Sequence, residues 1–164
     1  MKYVEAPEGY TGQEPSLFLA GGITGCPDWQ AEVVEKLEEG VQSQFSNDVL
    51  RRLVVLNPRR KTFNITDPLA AQDQITWEYN HLHHATLVLF WFPKETLCPI
   101  VLYELGAYGS LKSNIFVGTH PEYARRQDVE IQLALARPEI DVVDSLEDLV
   151  KQVLVKGAVL WPRN

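Results

Sequence analysis

Residues 87–111 read LVLFWFPKETLCPIVLYELGAYGSL. Six consecutive aliphatic and aromatic side chains fill 87–92 and stop at Pro93, the pattern of a strand buried on both faces. After a short polar loop, Pro99 stands where the first turn of a helix tolerates a residue without an amide hydrogen, and helical spacing then carries on to Leu111. A strand covered on both sides needs helices above and below it, so this segment already predicts a sheet of the α/β class.

Outward from it the alternation repeats. Apolar runs at 17–20, 53–56, 115–118 and 140–143 predict four more strands, and helical spacing falls at 28–39, 71–85, 124–136 and 145–155. The expected fold is α/β: a five-stranded, mainly parallel sheet with helices on both faces, a flavodoxin-like or Rossmann-like three-layer sandwich. The first fifteen residues are expected to form a loose arm. Sheets of this kind bind ligands beyond the carboxyl ends of their strands, where strand order switches, which points to the segments 20–27, 57–73, 93–99 and 118–123.

A chain of 164 residues suits one domain spanning 1–164, and its 45% apolar and 23% charged residues suit a packed soluble core. The net charge of −7 argues against a nucleic-acid polymer as partner, because that affinity rests on neutralised phosphates. No apolar run approaches the ~20 residues that cross a bilayer, and the opening MKYVEAPEGY lacks the apolar core of a signal peptide. No membrane partner and a cytoplasmic location are therefore expected. Cys26 and Cys98 form neither a disulfide framework nor a zinc-ligand spacing.

Within TLCPIVLYELGAYGSL (96–111), Glu104 is the only charged side chain. In a helix from Pro99, the positions Ile100, Glu104, Ala107, Tyr108 and Leu111 share a face, so the carboxylate is expected on the apolar stripe. Burying an unpaired carboxylate is costly, which makes Glu104 the candidate catalytic residue. In the preceding helix Ile75, Glu78, Leu82 and Ala85 share a face in the same way. Two carboxylates beside a sugar are what retaining glycosyl transfer needs: one attacks the anomeric carbon, and the other moves the proton of the leaving group. Asp73 competes with Glu78 for the second part, although an acid in the first turn also suits the helix dipole.

The stretch LAGGITGCPDW (19–29) joins a strand to a helix. Gly21, Gly22 and Gly25 would let backbone approach a ligand closely, but their spacing matches neither GxGxxG nor GxxxxGK[ST]. Cys26 has no basic neighbour in sequence to activate it as a nucleophile. His81, His83, His84 and His120 lack the ligand set of a metal site, and no metal is expected. Trp77, Trp91, Phe92 and Tyr108 offer faces on which a nucleobase would stack, although core packing is the expected fate of at least two of them.

In order along the chain, LFLAGGITG, WEYNHLHHAT, LVLFWF and YELGAYGS resemble the nucleoside 2-deoxyribosyltransferase family and its nucleoside 5'-monophosphate N-glycosidase relatives, over roughly residues 16–120. The resemblance implies cofactor-free transfer of 2-deoxyribose between nucleobases through a covalent glycosyl-enzyme on Glu104, the glutamate of Glu-Leu-Gly. It gives the second acidic part to Glu78, where the family more often has aspartate. Phe18 stands where tyrosine is common, Thr86 where aspartate follows alanine, and KETLCPIVLY lacks an aspartate frequent before the nucleophile, all of which imply a divergent branch. Implied partners are deoxynucleosides and free nucleobases bound among Phe18, Gly21, Gly22, Asp73 and Trp77. A homo-oligomer with shared active sites is also implied, with Asp128 reaching across an interface. Two alternatives use the same residues: hydrolysis of a deoxynucleoside 5'-monophosphate held at the glycine loop and Thr24, and a nucleotide-binding module without turnover.

Overall fold

The computed structural model describes residues 1–45, 47–62, 67 and 69–162. Among these, six strands form one wholly parallel sheet: β1 (Lys2–Glu5), β2 (Ser16–Gly21), β3 (Val54–Asn57), β4 (Leu87–Phe92), β5 (Ile115–Thr119) and β6 (Val142–Val143), in the order β1-β3-β2-β4-β5-β6. The helices are α1 (Trp29–Ser43), α2 (Asp48–Arg51), α3 (Ala70–His84), α4 (Pro99–Gly109), α5 (Arg126–Ala136) and α6 (Leu146–Leu160). None of the described helices is long and apolar enough to cross a membrane.

Every residue of β2 and β4 is buried, which is why 17–20 and 87–92 read as unbroken apolar runs. Successive side chains point to opposite faces. Phe18, Ala20, Val88, Phe90 and Phe92 pack with Trp77 and Leu82 of α3, Val101 and Leu105 of α4, and Val129 and Leu133 of α5. Leu17, Leu19, Leu87, Leu89 and Trp91 face Val33 and Leu37 of α1, Leu50 of α2, and Leu149 and Val153 of α6. The result is the expected three-layer sandwich. Side-chain caps start several helices: Asp28 accepts from the Ala31 amide, Asn47 from those of Val49 and Leu50, and Ser145 from that of Asp148.

The sheet has six strands rather than five because the N-terminal residues are not a loose arm. Lys2–Glu5 pairs in register with Val54–Asn57, and Val4 is fully buried. The segment KYVE offers one buried apolar side chain, Val4, among the more exposed Lys2, Tyr3 and Glu5, too little for periodicity to register, yet its backbone caps an otherwise bare edge. The last expected strand shrinks to Val142–Val143, and the four-residue α2 has no counterpart among the expected elements.

The chain leaves β2 toward α1 on one face and β4 toward α4 on the other. These two strands are neighbours, Leu17 pairing with Leu87 and Gly21 with Trp91, so the crevice between their carboxyl ends is the switch point where ligands bind in such sheets.

Candidate active site

A cavity of about 260 Å³ opens at that crevice. Its floor is Phe18 and Ala20 of β2, one wall is the glycine loop from Gly21 to Thr24, and the opposite wall carries Glu78 of α3 and Glu104 of α4. Of the segments expected to hold a ligand, 57–73 contributes Pro58, while its positions 63–66 and 68 lie outside the described residues.

The glycine wall depends on absent side chains. A Cβ on Gly21 would overlap the Trp29 ring and the Trp91 carbonyl, and one on Gly22 would come within 3.0 Å of Thr96, Pro93 and Cys26. Trp29 Nε1 donates to the Gly22 carbonyl at 2.8 Å. The Arg59 guanidinium donates to the carbonyls of Ile23, Cys26 and Pro27 at 3.3, 3.2 and 2.7 Å and to Gln30 Oε1 at 2.9 Å.

Cys98 precedes α4 with φ 48° and ψ 52°, left-handed geometry that a residue with a Cβ rarely adopts. The following Pro99 disfavours the right-handed helical region at position 98. Burial pushes the Cys98 thiol up to about 12 and raises that of Cys26 as well, so neither thiol ionises near neutrality.

The buried side of α4 is Val101, Leu105 and Tyr108, whereas Ile100 is 64% and Leu111 73% exposed. The stripe expected to carry Glu104 into the core therefore does not exist as such. The helix is apolar nearly all round, so spacing alone selects no single face, and Glu104 sits at the edge of the buried side with its carboxylate toward the cavity. It accepts no hydrogen bond among the described residues. Burial, and then the nearby charge of Glu78, raises its pKa to about 8.

On α3 the buried residues are Ala70, Trp77 and Leu82, while Ile75 is 65% exposed, so the expected face is again only partly right. Glu78 is half-buried, which raises its pKa, but a hydrogen bond from Gln74 and the charge of Arg60 work the other way. Gln74 Nε2 donates to Glu78 Oε1 at 2.6 Å and to the Pro58 carbonyl at 2.8 Å.

Phe18, Gly21, Gly22, Glu78 and Glu104 thus meet in one cavity, and three other expected site residues lie outside its walls. Asp73 is exposed in the first turn of α3. Trp77 is buried, stacked on His81 with ring centroids 4.1 Å apart, and donates from Nε1 to the Glu8 carbonyl at 2.7 Å. Asp128 faces Arg125 at 3.6 Å and lines a groove between α4 and α5. Pro58, Thr96 and Cys98 come from the segments 57–73 and 93–99 expected to face a ligand, although none was singled out there; Gln74, which backs Glu78, was not expected, and only its i, i+4 spacing to Glu78 signals it in the sequence.

Residues 14–123 match the family model described as nucleoside 2-deoxyribosyltransferase like. The chain belongs to that family. No curated protein matches the chain. The span that this nucleoside 2-deoxyribosyltransferase-like chain shares with its family runs from just before β2 past the end of β5. It therefore includes both cavity carboxylates and the whole glycine loop. Both carboxyls line the one cavity, and in each burial is the first cause that raises proton affinity, with the charge of Glu78 adding to it at Glu104. A pair of carboxyls with unlike surroundings can do acid and base or nucleophilic work in one pocket.

Proposed function

We propose that this protein moves 2-deoxyribose between nucleobases by double displacement, with Glu104 as nucleophile and Glu78 as the group that moves the proton. Glu104 attacks C1' of a deoxynucleoside, the C1'–N bond breaks, and the departing base takes a proton from Glu78. The glycosyl ester on Glu104 is then attacked by a nitrogen of a second base, which returns a proton to Glu78, and the anomeric configuration is retained. No cofactor enters. The observation that carries this reading is the meeting of Glu78 and Glu104 in one cavity at the switch point.

The difference between the two carboxyls supports the division of roles. Glu78 is hydrogen-bonded and held, whereas the lone pairs of Glu104 are uncommitted among the described residues, as a nucleophile requires. In the free site the shared proton favours Glu104. Positive charge developing at the anomeric carbon stabilises the Glu104 carboxylate and shifts that proton to Glu78, where the leaving base can take it.

The alternative hydrolysis of a deoxynucleoside 5'-monophosphate would set a phosphate beside the same pair. Among the described residues the cavity walls carry two carboxylates and no Lys or Arg, which favours an uncharged nucleoside. The alternative of a nucleotide-binding module without turnover leaves two strained carboxyls with no task. Ile100 and Tyr103 on α4 and Ile131 and Leu135 on α5 are exposed, a distribution that supports a homo-oligomer assembled through these helices, with Asp128 at the interface.

Intact-protein mass spectrometry after mixing with a 2'-fluoro-2'-deoxynucleoside tests the mechanism, because the fluorine slows turnover of the ester. One fluorodeoxyribosyl unit mapping to Glu104 is expected. An adduct on Glu78 or Cys26, or deoxyribosyl transfer retained in Glu104→Ala, would overturn the roles assigned here.

A further inference from the structure

Gln74 lies one turn before Glu78 on α3 and reaches back to the end of β3. Its Nε2 contacts two acceptors, the Pro58 carbonyl at 2.8 Å and Glu78 Oε1 at 2.6 Å, and an amide nitrogen has two hydrogens. Both are therefore committed. Flipping the amide would set oxygen against two oxygens, so its orientation is unique. Its Oε1 is buried and has no hydrogen-bond partner among the described residues, a cost tolerated only where something else is gained. The gain is visible at Glu78, which is tied to the same strand end whose Pro58 lines the cavity.

We propose that Gln74 is a positioning residue: it pins the Glu78 carboxylate to the end of β3 and gives it the hydrogen bond that Glu104 lacks, so that the two carboxyls of the pair are unlike. This inference rests on the double-displacement reading of the site. The groups that bear on Glu78 are Gln74 on its own helix, Glu104 on α4, and Arg60 in the segment after β3. Burial raises its proton affinity, while Arg60 and Gln74 lower it. Of these, Gln74 is the partner that also fixes where the oxygen points. Without it Glu78 would approach the behaviour of Glu104, and two similar buried carboxyls would compete for the proton instead of dividing it.

The test compares wild type with Gln74→Met, which keeps the length of the side chain and removes both amide donors. Carboxyl carbons labelled with ¹³C in glutamate are followed by NMR through a pH titration, and kcat/KM for deoxyribosyl transfer is measured over the same range. Hydrogen bonds to charged groups are strong enough that the Glu78 titration, and with it the acid limb of the rate profile, should move upward by roughly one pH unit or more in Gln74→Met. Gln74→Glu, matched in shape, should not restore the wild-type titration, because it brings a third carboxyl instead of a donor. Unchanged Glu78 titration in a folded Gln74→Met protein would overturn the proposal. Wild type without transferase activity would refute the functional reading, and the carboxyl titration would still decide the role of Gln74.

Discussion

Replacing Glu78 with glutamine removes a proton donor and a negative charge in one step, and the two losses leave different marks on the pH profile. Under the proposed mechanism the active form of the wild-type pair carries one proton. With the upper value at about 8, roughly nine molecules in ten still hold that proton at pH 7, so kcat/KM should rise on the acid side, level off and fall through about pH 8. In Glu78→Gln the requirement for a second, protonated carboxyl disappears. The alkaline fall should vanish, leaving a single rising limb that reports ionisation of Glu104. That limb should lie below 8, because the charge of Glu78 no longer opposes ionisation, but above 4.5, because burial is the larger cause of the shift and remains. Plateau rates should drop by roughly a hundred- to ten-thousand-fold for bases that leave poorly, and less for bases that leave easily. The assay is deoxyribosyl exchange between a deoxynucleoside and a free base, followed by chromatography in a series of buffers. A wild-type rate that keeps rising through pH 8, or an alkaline fall at 8 that survives in Glu78→Gln, would refute the shared-proton reasoning.

Glu104→Gln should abolish transfer yet raise the melting temperature in alkaline buffer. A carboxyl whose folded value lies near 8, above its ordinary 4.5, weakens the fold as pH climbs between those values, so the difference should grow over that window and vanish below it, as calorimetry would read. Gly22→Ala forces a methyl within 3.0 Å of Thr96, Pro93 and Cys26 and should cost about 1–3 kcal/mol in urea denaturation while raising KM. Deoxyribosides should react far faster than ribosides, since a 2'-hydroxyl withdraws electrons from an oxocarbenium-like transition state; equal rates on adenosine and deoxyadenosine would contradict this. Sedimentation should give a mass well above the 18.6 kDa of one chain, and a fully active monomer would remove the oligomer from consideration.

The central strands were legible because burial on both faces leaves a plain trace: LVLFWF and the LFLA of β2 admit no polar side chain, and the loops after them fall where strand order switches. Edge structure was not legible. KYVE pairs through its backbone, and backbone pairing writes little into side-chain identity. At the site, Glu104 stood out as a lone charge in an apolar helix, but the face it occupies did not, because a helix apolar on nearly every side has no clear direction. Trp77 shows the opposite failure. An aromatic beside a catalytic candidate invites a stacking role, yet its indole is consumed by His81 and the Glu8 carbonyl, partners 4 and 69 positions away in the chain. Gln74 escaped notice since its contribution lies in a contact with Pro58 that only the folded backbone creates.

The grip of Arg59 on the glycine loop has a consequence for how the pocket meets its ligand. With three carbonyls drawn onto one guanidinium, that wall is ordered when the chain folds. Fixing a backbone residue costs about 1–2 kcal/mol, and here that loss has already been taken before any ligand arrives. The wall therefore acts as a rigid template and does not close like a flap. On the proposed double displacement, readiness of the pocket then depends on the facing helices and on the protonation of their two carboxyls, so acidity, more than loop motion, sets when it is competent.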